Sequence, residues 1–264
     1  MLIAQITDLH VSFDPAFLDG RVAPLEAVLR AVAVLAALDP RPDAVLLTGD
    51  LAENGSAEEY AFIRHALGEL DLPVFAVPGN HDSSPAMRTG LGSFMRASEA
   101  SHACYVVDDF PLSLVGLDTS VAGKAHGALD PARLEWLEKV LGQRAGRPVF
   151  MFMHHPPFDT GIRTMDACGL LEGRERLAEL IAWHGGVVGV VCGHVHRSIH
   201  TSVAGVPTVV APSCAHQIAL ELRANAPLQY RLEPPAIALH RCEQGQMMVS
   251  HVRYIPDFPG PWRF

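Results

Sequence analysis

Five short apolar runs, each breaking off into a cluster of polar side chains, constrain this chain more than any other feature. Residues 2–6 lead into Asp8-Leu9-His10, residues 44–47 into Gly49-Asp50, and residues 72–77 into Pro78-Gly79-Asn80-His81-Asp82. Residues 149–153 lead into His154-His155, and residues 187–192 into Gly193-His194-Val195-His196. Apolar runs of this length suit strands buried on both faces. Pro78-Gly79 ends the third run abruptly, so its polar residues are expected at a strand's carboxyl end rather than along its length. One Asn-His-Asp reads equally well as a polar turn. Five such outcrops at five strand ends do not.

Helical spacing fills the intervals. Leu25, Val28, Leu29, Val32 and Leu35 recur at helical period over residues 24–38, and Ser56 with Glu59 forms a capping box that opens a helix over 57–70. Strand, helix, strand, helix, strand over residues 2–77 is the order of a parallel sheet with right-handed crossovers. In such a sheet the strand carboxyl ends face one crevice, which would receive Asp8, His10, Asp50 and Asn80. Residues 84–95 read as a short helix or lid, and strands over 103–108 and 112–117 begin a second sheet. Asp130-Pro131 caps a helix whose apolar face is Leu134, Leu137, Val140 and Leu141. Residues 156–169 read as a loop over the site and 174–183 as a helix. Two hairpins are expected, 201–203 with 206–211 and 236–241 with 247–254, the second turning through Gln244-Gly245. The proline- and aromatic-rich residues 256–264 lie either across a neighbouring subunit or across the chain's own surface.

With 264 residues, 49% of them hydrophobic, the chain can bury one large core, and it is read as a single domain over 1–264 with a hairpin and tail from about 236 that serve oligomerisation. A net charge of −9 and the lack of a basic run argue against duplex nucleic acid as a partner. Residues 1–6 run straight into Asp8 without a basic leader, and residues 27–38 are too short to span a bilayer, so no membrane anchor and a cytoplasmic location are expected. Five scattered cysteines, an odd number, suit reduced thiols rather than a disulfide framework, with a bond from Cys242 to Cys214 or to another subunit left open.

Taken together, the outcrops offer oxygen and nitrogen donors without thiolate, a set suited to manganese, iron, cobalt or zinc. Residues two apart in extended chain project to one side, so Asp8 with His10, and His194 with His196, can each converge. The blocks D-x-H, G-D, G-N-H-D, a histidine block and G-H-x-H resemble those of the calcineurin-like metallophosphoesterase superfamily through about residue 220. Met153-His154-His155-Pro156-Pro157 and residues 127–141 most resemble the bacterial glycerophosphodiesterase and class III cyclic-nucleotide phosphodiesterase branch.

That resemblance implies an α/β fold, a four-layer αββα sandwich of two mixed β-sheets flanked by helices. It implies two divalent metal ions, one held by Asp8, His10, Asp50 and His196 and the other by Asp50, Asn80, His154 and His194, with Asp50 bridging. The implied reaction is hydrolysis of a small phosphodiester by a metal-bound hydroxide, two cations neutralising the phosphoryl oxygens. His81, outside the ligand set, is the candidate to stabilise the transition state and protonate the leaving oxygen, and Asp82 to orient a histidine. Asn80, His81, His196 and His216 are the expected substrate contacts, His216 being either a site wall or a structural turn. His155 is expected to support a ligand or to pack, Glu53 and Asn54 to line the mouth, and His65, His102, His184, His240 and His251 to pack or lie at the surface. A phosphomonoesterase or nuclease on the same metals, or a silent nucleotide-binding protein, are the alternatives. A homo-oligomer, dimer or larger, is expected.

Overall fold

Alternation within each strand divides the core into three layers. In the second strand Val45 and Leu47 pack with Val28, Ala31 and Leu35 of a helix, whereas Ala44 and Leu46 face Phe150, Phe152 and Val191 of another sheet. On that other sheet Val149, Met151 and Met153 turn away, toward Leu137, Leu141, Leu177 and Ile181 of two more helices. Both faces of each central strand are therefore covered, which is why the runs are apolar without a break. Deleting one of the largest interior side chains, such as Phe152, would cost about 3–5 kcal/mol.

The computed structural model describes residues 1–97, 102–243 and 245–263. Its first half runs β1 (Leu2–Ile6), α1 (Pro24–Ala36), β2 (Ala44–Thr48), α2 (Ala57–Gly68), β3 (Val74–Val77), α3 (Ser84–Leu91), β4 (Tyr105–Val107), β5 (Ser113–Leu117) and β6 (Gly127–Ala128). Then come α4 (Pro131–Gly142), β7 (Val149–Met153), α5 (Arg163–Asp166), β8 (Leu170–Glu172), α6 (Arg174–His184) and β9 (Val187–Cys192). The chain closes with β10 (Ile199–Val203), β11 (Val206–Val210), β12 (Gln217–Ile218), β13 (Tyr230–Arg231), β14 (Ala236–Arg241) and β15 (Val249–Tyr254). One sheet has the order β15-β14-β1-β2-β3 and the other β10-β11-β9-β7-β5-β4. Strands β1, β2 and β3 are parallel, as are β5, β7, β9 and β11, and antiparallel strands flank both sets. This is the expected four-layer sandwich.

The helix starts follow their side chains. Ser56 and Glu59 exchange capping-box bonds at 3.2 and 2.9 Å, and the Asp130 carboxylate accepts the Arg133 N–H at 2.9 Å. The expected loop 156–169 contains the short helix α5, and the small pairs β6-β8 and β12-β13 carry too few residues to leave a periodic signal. The C-terminal hairpin is part of the first sheet: β14 pairs antiparallel with β1, Leu2 opposite Arg241. Gln244 of its turn and Phe264 of the tail lie outside the described residues. The five cysteines are free thiols.

Candidate metal centre

The parallel strands of the two sheets end at a common edge, and there the backbone leaves its ordinary conformations. Eight non-glycine residues among those described have positive φ, and five of them are Asp8, His10, Asp50, His194 and His196, at +52°, +44°, +49°, +73° and +53°. Each left-handed residue costs on the order of 1–3 kcal/mol unless the surroundings enforce it. Here the enforcement is visible in hydrogen bonds: the Asp8 N–H donates to the Gly49 carbonyl, the His10 N–H to the Asp50 carbonyl and the Gly193 N–H to the His154 carbonyl, each at 3.0 Å. Two glycines permit the close approach of strand ends. A β-carbon on Gly79 would collide with the Asp50 carboxylate and one on Gly193 with the Thr7 hydroxyl.

These turns bring Asp8, His10, Asp50, His154, His194 and His196, all buried, into one cluster with the half-buried Asn80. The Asp50 Oδ2 lies 3.3 Å from His154 Nε2 and 3.8 Å from His10 Nε2, and the Asp8 Oδ1 lies 3.4 Å from His196 Nε2. Asn80 Oδ1 is 3.2 Å from His154 Nε2. Two pairs of imidazole nitrogens face each other: His10 Nε2 with His196 Nε2, and His154 Nε2 with His194 Nδ1, both at 3.2 Å.

The outer nitrogens decide what those pairs can do. His154 Nδ1 donates to the Thr48 carbonyl at 2.8 Å, His196 Nδ1 to the His216 carbonyl at 3.0 Å, and His10 Nδ1 to the Glu53 carboxylate at 2.6 Å. His194 Nε2 lies 3.5 Å from the Cys168 thiol. With these outer nitrogens engaged, each facing pair can stand this close only where a proton or a cation is shared between its two nitrogens. Ligands at right angles to tetrahedral angles around a cation with bonds of about 2.1 Å stand roughly 3.0–3.4 Å apart, so each pair has the spacing of two ligands of one ion. The donor set fits two divalent cations, with Asp50 reaching both pairs.

Among the protein charges alone, burial pushes His194 and His196 down to about 3 and Asp8 up to about 6. Burial also opposes the charge of His154, but Asp50 and Asp8 outweigh it and hold that imidazole up to about 9. For Asp50 burial acts upward, and the neighbouring imidazoles, His154 first, overcome it and hold the carboxyl well below its usual range. Two neutral imidazoles and two carboxylates this deeply buried are what a cation needs and what an apolar core does not tolerate unpaired.

The other expected residues fall into different places. His81 is about one-third exposed; its N–H donates to Asp50 Oδ1 at 2.8 Å, and its Nδ1 lies 3.2 Å from the Glu53 carbonyl, leaving Nε2 for the cavity. The expectation that Asp82 orients a histidine is not met by its hydrogen bonds. Its carboxylate accepts the N–H groups of Leu51, Ala52 and Gly79 at 2.9–3.2 Å and the Tyr60 hydroxyl at 3.1 Å, so it clamps the Asp50 turn to the Asn80 turn. A carboxylate adjacent to His81 in sequence is taken up by the amides of the neighbouring loops instead. His155 uses both nitrogens, on Thr119 at 2.8 Å and Ala125 at 3.2 Å, while packing against His194. His216 is buried, stacks edge-on against His196 at 4.6 Å, and is pushed down to about 2 by burial.

Glu53 carries more than the mouth-lining part its sequence position suggests. Its carboxylate binds the His10 ring and lies 3.4 Å from His81 Nδ1, so it ties a candidate ligand to the candidate acid. Its place three residues after Asp50 is the signal available in the sequence. Above the cluster is a cavity of about 260 Å³, walled on one side by Phe17, Leu18, Met165, Ile218 and Leu228.

Residues 1–198 match the calcineurin-like phosphoesterase family. A probable glycerophosphodiester phosphodiesterase of Arcobacter nitrofigilis is 36% identical over 264 residues, spanning 100% of this chain and 97% of that protein. A probable cyclic nucleotide phosphodiesterase of Rhodopseudomonas palustris is 33% identical over 263 residues, spanning 98% and 94%. A dimetal phosphatase from Danio rerio superimposes with a TM-score of 0.69 over 97% of each chain at 14% identity, a likeness of fold alone.

Proposed function

The chain belongs to the calcineurin-like phosphoesterase family and is a phosphoric diester hydrolase, and from that premise we propose that it hydrolyses small phosphodiesters of the glycerophosphodiester or cyclic-nucleotide type with two divalent cations. The observation that carries the reading is the two pairs of facing imidazole nitrogens at 3.2 Å on either side of Asp50. Asp8, His10, Asp50 and His196 would hold one ion, and Asp50, Asn80, His154 and His194 the other. Manganese, iron, cobalt and zinc suit these donors. When bound, such ions neutralise phosphoryl oxygens and acidify water.

The remaining work falls to the chain's own side chains. His81 holds a proton at Nε2, with Nδ1 fixed on the Glu53 carbonyl, and delivers it to the departing ester oxygen. His216 and His196, stacked together at the cavity floor, limit where the substrate can sit. Phe17, Leu18, Ile218 and Leu228 exclude water from one ester arm. None of the described residues lining this cavity is a lysine or arginine, which favours the singly charged diester over the dianionic monoester. Hydrolysis of bis(p-nitrophenyl) phosphate and p-nitrophenyl phosphate after metal loading tests the reading. The diester should have the larger kcat/KM, and the reverse order would assign the site to monoesters.

No helix of the described residues is long and apolar enough to cross a membrane. A cytoplasmic location and a homo-oligomer are part of the same reading, the oligomer supported by the exposed Tyr254, Phe258 and Trp262 on the C-terminal hairpin and tail. Light scattering that returned a monomer mass would remove that part.

A further inference from the structure

A second cavity, of about 410 Å³, shares only Asn80 and His81 with the cavity over the donor cluster. Its lining is different in kind. The Ser120 hydroxyl donates to Asp118 Oδ1 at 2.6 Å, and the Ser84 hydroxyl donates to Asp118 Oδ2 at 3.5 Å while lying 3.3 Å from the Ser120 oxygen, so both hydroxyls turn toward one buried carboxylate. With its proton directed at that carboxylate, Ser84 Oγ keeps lone pairs for an incoming hydroxyl. Arg133, at the same wall, donates to the Ser120 carbonyl at 3.0 Å and to Asp130 at 2.9 Å and stands 3.9 Å from Asp118. Its charge is met twice by carboxylates, so among the described lining residues no cation is in excess to attract a further phosphate. What it offers is hydrogen bonding to neutral hydroxyl groups.

A phosphodiester has two ester arms, and the wall common to both cavities is Asn80-His81, where the phosphoryl group is placed by the reading above. An open-chain diester can send one arm into each cavity. A cyclic diester, whose two ester oxygens belong to one ring system, needs only one. We propose that the Ser84-Ser120-Asp118 cavity is a subsite for an uncharged, hydroxyl-bearing arm of glycerol size, and that the chain therefore favours open-chain diesters carrying a polyol. This rests on the diesterase reading and sharpens its substrate class.

The test compares glyceryl ethyl phosphate with propyl ethyl phosphate, which differ by two hydroxyls, with cleavage followed by ³¹P NMR so that either arm can leave. Two hydrogen bonds should give a glyceryl-to-propyl ratio in kcat/KM of about tenfold or more. Ser84→Ala and Ser120→Ala should each bring that ratio toward one, and because it is a ratio within one enzyme, a general loss of folding or metal cancels. Hydrolysis of bis(p-nitrophenyl) phosphate by the native chain checks the diesterase reading separately. If that activity is present, a ratio near one in the native chain, a ratio unchanged in both variants, or a larger kcat/KM for 3′,5′-cyclic AMP than for the glyceryl diester overturns the subsite.

Discussion

Removing the Glu53 carboxylate should weaken one of the two cation positions and spare the other. Glu53 touches His10, a donor of the Asp8 half-set, through a 2.6 Å bond from Nδ1, and it makes no bond to His154 or His194, whose outer nitrogens rest on Thr48 and Cys168. A hydrogen bond to an ionised acceptor contributes about 1.5–3 kcal/mol. The Glu53 side chain is one-quarter exposed, so solvent screening moves the expectation to the low end. About 1.5–2 kcal/mol is roughly a 10- to 30-fold loss of affinity, within the range found when a carboxylate supporting a metal-bound histidine is removed. Calorimetric titration of the metal-stripped chain with Mn²⁺ should give two sites in the native chain. Glu53→Ala should show one site weakened by that factor, and Glu53→Gln, whose amide oxygen still accepts from Nδ1, a smaller loss. Equal weakening of both sites, or no change in either, would refute the argument that Glu53 acts through His10.

Asp50→Asn should release both cations together, since Asp50 reaches both nitrogen pairs; two tightly held metals per chain by elemental analysis would end its assignment as the bridge. His81→Ala should keep the metals and lose about a hundred- to ten-thousand-fold in rate on an alkyl ester, with a far smaller loss on a nitrophenyl ester, whose leaving group needs no proton. Equal losses on the two esters would make His81 a phosphoryl-binding group instead. His240 bears on acid stability. Burial pushes its imidazole down to about 3, below the unfolded value of about 6.5, so its stabilising contribution is complete above pH 6.5 and falls as pH drops toward 3. The difference in unfolding free energy between the native chain and His240→Gln should shrink with acidification by at most about 1.4 kcal/mol per pH unit. A difference independent of pH from 7 to 4, by urea denaturation, would show that His240 is not buried neutral.

Much of this was legible because the two sheets report themselves differently from the site. Strands such as β2 and β7 are covered on both faces, so Ala44–Thr48 and Val149–Met153 stand out as apolar runs, and the residues after them are conspicuous by contrast. What could not be read is what depends on distance across the chain. Asp82 looks like a support for a histidine until the amides of Leu51 and Ala52, about thirty residues earlier, are seen to occupy it. Ser84, Asp118, Ser120 and Arg133 carry no motif, and only the fold places them on one cavity. β12 and β13 are too short for periodicity, and the pairing of β14 with β1 joins segments more than two hundred residues apart.

That last pairing explains why polar residues are built into strands where apolar ones would pack as well. Gln5, fully buried in β1, donates to the Thr48 hydroxyl at 2.7 Å and to the Cys192 carbonyl at 2.9 Å, and its own oxygen accepts from His240 of β14 at 2.9 Å. The second nitrogen of His240 meets the Ser250 hydroxyl of β15 at 2.8 Å. Thr48 is also the residue whose carbonyl takes the His154 N–H, and Cys192 immediately precedes the Gly193-His194 turn. One amide thus links the ends of β2 and β9, which lie in different sheets and lead into different donors, Asp50 after β2 and His194 with His196 after β9. Apolar packing at this position would hold the sheets together but is non-directional, whereas a fully satisfied polar network fixes their mutual register. The C-terminal hairpin is therefore part of the foundation of the centre: its histidine satisfies the amide that aligns Asp50 and His154 with His194.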